Sequence, residues 1–221
     1  MSSTRRRHQG PTVPEPSIQR RFGMADEMWA KLAPLLAEDG ITEDSPPVPL
    51  AELQAALDRA LERYNMMQFT AVGEQREAAA EVLRKATLAI AANHPAVLRS
   101  LLSAVEPEVS EQSPATVAGC TGMALGLLDG WLTERDPQVP KGLAVRAPRI
   151  VPARWPGARP AGDVFPLARK GRALSSVMSL TRQHGGFNVL HGSVLALGVT
   201  CQFWATYAGE DLDTLTARVI R

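Results

Sequence analysis

Cysteine is nearly absent: Cys120 and Cys201 are the only two among 221 residues. Two thiols make no disulfide framework, so both read as reduced core residues. Aromatics are scarce at 5%, which leaves Ala and Leu to carry the apolar load and favours helices over strands. Lysine is confined to Lys31, Lys85, Lys141 and Lys170 against an abundance of Arg, a balance that points by composition alone to a high-GC, bacterial genome. Behind the charges of Met1–His8 there is no apolar stretch of the kind a secretory signal needs, so a cytoplasmic location is the expectation. Chemistry-bearing motifs are also missing. There is no His-Glu-x-x-His, no Glu-x-x-His pair and no Asp-Asp-x-x-Asp run, and no glycine loop carries the Lys-Ser/Thr of a phosphate cradle. Ser193 after Gly192 lacks the strand–turn–helix setting of a nucleophile elbow. His184, His191, Cys120 and Cys201 are the best leftover set, and a histidine among apolar neighbours is more often a core residue than a ligand. No metal, no cofactor and no catalytic residue is therefore expected.

What is present is helical patterning. Met28, Leu32, Leu35 and Leu36 fit one face, with Pro34 as an expected kink and Asp39-Gly40 as a stop. Pro49 opens a stripe of Leu50, Leu53, Leu57, Leu61 and Tyr64, which Met66 and Met67 finish. Thr70 reads as a cap for the next helix, with Val72, Ala79, Leu83, Ala86 and Ile90 inward and Glu81 paired with Lys85 outside. Asn93-His94-Pro95 makes a corner before a short helix on Val97, Leu98, Leu101, Leu102 and Val105. Ser113-Pro114 is a start signal for a helix reaching about Glu134. Asp163 is placed as the cap of a later helix built on Leu167, Leu174, Val177, Met178 and Thr181 and ended by Gly185-Gly186. A closing helix rests on Leu212, Leu215 and Val219.

Gly119, Gly122, Gly126 and Gly130 share one stripe of the helix from Ser113. Each interior glycine costs a helix about 1 kcal/mol relative to Ala, which close approach of another backbone offsets. Gly192, Ser193, Ala196 and Gly198 offer a small-residue partner later in the chain; a homodimer seam is the alternative. Phe187–Ala208 is free of charge and, as a helix, long enough to cross a bilayer. Asn188, His191, Gln202 and Thr206 gather on one of its faces, which favours the centre of a soluble bundle over a membrane span.

Charge is segregated. Residues 1–21 carry five Arg against Glu15, residues 22–118 carry fifteen acids against seven bases, and residues 139–182 carry nine bases against Asp163 alone. The basic stretch is Pro-rich, so it reads as an extended connector whose Trp155 pins it to the body. It either covers the acidic lobe or meets a polyanion.

The expectation is an all-α, multi-helix bundle of about seven or eight helices. It comprises a disordered basic tail (1–21), an N-terminal helical part (22–136), a Pro/Arg-rich connector (137–161) and a C-terminal helical part sharing the core (162–221). The expected role is a non-catalytic helical adaptor or regulatory protein binding another macromolecule, through a protein partner or self-association as a homo-oligomer. One alternative is a weakly sequence-specific nucleic-acid binder whose phosphate contacts are Arg149, Arg154, Arg159, Arg169, Lys170 and Arg172. The other is an enzyme or small-molecule sensor with Asn188, His191 and Gln202 as the polar groups of a pocket.

Overall fold

The computed structural model describes residues 18–21, 23–42, 45, 48–105, 114–133 and 137–221. These residues are all-α, with no strand among them. The chain divides into two compact units, one through Tyr64 and one from Asn65. The expected tail falls outside the described residues up to position 17. Beyond it, α1 (Ile18–Arg21) is one helical turn, where disorder had been expected. It is held locally: Ile18 joins the apolar cluster of its unit, and the Gln19 Nε2 donates to Met24 O at 3.3 Å and to Asp26 at 2.6 Å.

In the first unit, α2 (Asp26–Glu38) runs through an exposed Pro34 and buries Leu32, Leu35 and Leu36. Met28, expected inward, is exposed. The first part of α3 (Leu50–Gln68) buries Leu53, Ala56, Leu57 and Ala60, whereas Leu50 and Met67 face solvent. The stripe is thus shorter at both ends than the apolar pattern. Arg63 ties the two helices by donating to Leu35 O and to the Asp39 carboxylate. That bond holds the Asp39 carboxyl below the usual carboxylate range.

The second unit is organised around α10 (Gly186–Ala208). Every residue from Val189 to Cys201 is buried, because α4 (Gly73–Ala91), α6 (Val117–Leu132), α8 (Ala158–Ala168) and α9 (Val177–His184) pack on different sides of it. A helix apolar all round requires such a cover. Its buried hydroxyls are satisfied within the helix, Ser193 donating to Leu190 O and Thr200 to Ala196 O. By length and composition α10 is the one helix among the described residues able to cross a membrane, and 83% of its apolar window is buried inside the protein. Trp131 of α6 meets Trp204 edge to face at 5.5 Å, and Arg218 of α11 (Leu212–Val219) lies over the same indole. Burial pushes the Cys120 and Cys201 thiols up to about 12, so both stay protonated and unreactive.

Several boundaries move for local reasons. Thr70 does not cap α4: its hydroxyl donates back to Met66 O, and Val72, largely exposed, precedes the helix. Glu81 and Lys85 pair as expected, at 3.1 Å. The short helix α5 (Pro95–Ser103) follows His94 and buries Leu98 and Leu102, whereas Val97, expected on the same face, is exposed. The α6 helix starts at Thr116, whose Oγ1 accepts from Gly119 N at 3.0 Å; Ser113 and Glu134 lie outside the described residues.

The glycines of the two small-residue stripes do not face each other, which corrects the expected intrachain pairing of these stripes. A Cβ on Gly122 would run into the backbone carbonyl of Phe69, and one on Gly119 would press on Ala71. Gly192 instead lies against Pro160 and Ala161, and Gly198 against Ile90. Gly126 meets only Leu174 at 3.8 Å, and nothing lies within 4 Å of a Cβ at Gly130.

The expected helix from Asp163 to His184 is also broken. The α8 helix begins at Ala158, ends at Ala168, and places Asp163 in its interior. Gly171 then takes φ +64, a conformation costly for other residues, and reverses the chain before α9. The Asp129 carboxylate of α6 seals that break, accepting from Ala173 N at 2.8 Å and Leu174 N at 2.9 Å.

Candidate functional site

The Pro-rich stretch after residue 137 is the least regular in its sequence and builds an apolar groove. It is not wholly extended: α7 (Leu143–Arg146) and a 3-10 turn (Ala147–Ile150) fold within it, burying Leu143, Ala144 and Ala147. Pro148 occupies the first positions of the 3-10 turn and Pro160 the first turn of α8, where no backbone N–H is needed. Trp155 is half-buried against the core, as expected of a pin. Gly157, at φ +82, lets the turn before α8 touch the α10 backbone; a Cβ there would stand 2.5 Å from the His191 carbonyl carbon.

Between these segments lies a cavity of about 460 Å³. Ala144, Val145, Pro148 and Val151 line one side and Ala158, Phe165 and Pro166 the other, with Arg169 in its wall. Val145 and Ile150 beside it are exposed apolar side chains. Arg146, Arg149, Arg154 and Arg159 each adjoin a lining residue in the chain, and all are exposed. Asp163 adjoins the lining Gly162, but its carboxylate accepts from His184 Nε2 at 2.8 Å and from Gln183 at 3.3 Å.

Arg149, Arg154, Arg159, Arg169, Lys170 and Arg172 are all exposed, and none has an ion-pair partner among the described residues. They do not form one helical face. Arg169, Lys170 and Arg172 sit in the turn after α8, whereas Arg182 lies on α9, so these four do not share one helix.

The structure does not bring Asn188, His191 and Gln202 together. Asn188 is exposed and donates to His184 O at 2.8 Å, capping α9. His191 is 3% exposed, stacks edge to face on Phe187 at 4.7 Å and leaves Nδ1 without a partner. Burial first, and Arg99 second, lower its pKa. Gln202 lies eleven residues farther along α10, about 16 Å at the ordinary helical rise.

Gly126 and Gly130 line an open depression of about 730 Å³ with Asp129 and Lys170. Gly122 and Gly126 border a smaller one of about 230 Å³. Among the described residues no group of three or more His, Cys, Asp or Glu side chains could hold a metal.

The groove escaped sequence reading because its walls come from three short segments with no common period. Its available signal was the coincidence of exposed Val145 and Ile150 with an acid-free basic stretch. No protein-family model, curated protein or solved structure matches the chain.

Proposed function

We propose that this protein is a non-catalytic binding module, an adaptor or regulatory protein that meets another macromolecule at the groove between α7 and α8. The observation that carries this reading is an apolar depression open among the described residues, beside exposed cations that have no ion-pair partner among them. Apolar surface of this kind is otherwise costly to expose, and rimming polar residues mark interaction sites. Cations that neutralised an acidic lobe of the same chain would be paired; among the described residues these have no ion-pair partner.

A photo-crosslinking amino acid placed at Val145, with Tyr207 as the exposed control position, tests the reading in cells. A protein adduct specific to Val145 and resistant to nuclease is the expected result. Equal labelling from both positions, or none from Val145, contradicts it.

A second reading, nucleic-acid binding, is favoured by the exposure of all six cations from Arg149 to Arg172. It predicts salt-sensitive retardation of duplex DNA that is weakened by Arg149→Glu and Arg172→Glu. Lack of retardation at low salt removes it.

A further inference from the structure

We infer that the groove between α7 and α8 receives the apolar face of an acidic amphipathic helix supplied by a partner protein. The inference rests on the binding-module reading above and names the occupant's chemistry. Three observations select it. Apart from Arg169 and Phe165, the lining is glycine, aliphatic side chains and proline rings, so it offers little to pair with peptide N–H and C=O groups. An extended segment laid there would leave its backbone unpaired, and no strand edge exists among the described residues to pair with it. A helix satisfies its own backbone and presents only side chains.

Second, among the described residues the free charge beside the groove has one sign. Arg169 stands in the wall, Arg146, Arg149, Arg154 and Arg159 each adjoin a lining residue, and the neighbouring Asp163 carboxylate is already engaged by His184. Guanidinium groups match carboxylates in a planar, two-bonded geometry. Third, the floor argues against the polyanions that share this charge preference. The ring in its lining, Phe165, is 2% exposed and offers no stacking platform for bases. The apolar surface is concave, where a flat lipid interface gains little contact.

The full chain is titrated against fluorescent synthetic helices of about five turns. One carries Leu at i, i+3, i+4 and i+7 with Glu elsewhere, a second replaces each Glu by Lys, and a third replaces each Leu by Ser. The Glu/Leu peptide is expected to bind, and the other two to bind at least about tenfold more weakly. Val145→Glu, and separately Arg149→Glu with Arg169→Glu, weaken the Glu/Leu peptide by about tenfold or more, with melting curves confirming that each variant folds. Raised salt weakens it further.

Binding of the Lys peptide as strongly as the Glu peptide overturns the inference, as does indifference to Val145→Glu. So does a groove-dependent signal from duplex DNA, phosphatidylglycerol vesicles or a second copy of the chain in the absence of peptide binding. If the acidic peptide fails while the Val145 adduct persists, this inference alone falls. If both fail, the binding-module reading falls with it.

Discussion

The α10 helix and the stretch from Leu143 to Arg169 treat apolar surface in opposite ways. Along α10, everything from Val189 to Cys201 is covered, even the hydroxyls finding partners within their own helix. Around α7 and α8, Val145 and Ile150 remain exposed beside cations that have no ion-pair partner among the described residues. The contrast separates residues that hold the fold together from residues available to something outside it. The same contrast recurs within one helix: Gly119 and Gly122 are sealed against residues 69–71, whereas Gly130 faces nothing.

Breaking the sealed side gives the largest effect. Gly122→Val drives a branched side chain into the Phe69 backbone and should cost at least about 3 kcal/mol of stability, read by denaturant unfolding. An unchanged midpoint would mean that the close approach does not hold. Next comes the clamp across the α8–α9 break. Asp129→Ala orphans the Ala173 and Leu174 N–H groups and should cost about 1–2 kcal/mol by the same measurement.

His191 gives a pH-dependent effect of similar scale. Its pKa is lowered by burial and by Arg99, so below about pH 6.5 the unfolded chain takes up a proton that the native chain refuses. Stability therefore falls as pH drops through that value, by up to about 1.4 kcal/mol per pH unit until the native imidazole protonates. His191→Leu should flatten this slope; an identical slope in the variant counts against the assignment.

On the open side the sign reverses. Gly130→Ala meets no atom and removes a helix-interior glycine, so stability should rise by about 0.5–1 kcal/mol. A loss would show that the position is covered. Val145→Glu is expected to have the smallest effect on folding, within about 0.5 kcal/mol, because the side chain is already half exposed.

Much of the fold was legible because helix stripes report burial directly. Leu32, Leu36, Leu53, Leu83 and Leu98 face inward as their spacing requires. Stripe ends were less legible: Leu50, Met67 and Val72 are apolar yet exposed. The break after Ala168 escaped because Leu167 and Leu174 keep helical spacing across a turn set by Gly171. Proline density misled in the other direction. It suggested a bare connector, although Pro148 and Pro160 occupy helix starts. The six cations were recognised as basic, but which of them stands at the groove depends on a chain path that has no linear signature: Arg169 lines it, whereas Lys170 lines the depression beside Gly126 and Gly130. Asn188, His191 and Gln202 share a helical face, yet the distance along the axis keeps them from forming one site.

The most direct test of the account compares Val145→Glu with the unsubstituted chain in titrations of the Glu/Leu peptide at matched salt. A folded variant whose affinity falls about tenfold or more is the expected result. Equal affinity in the two chains would contradict the assignment of the open apolar surface to a partner.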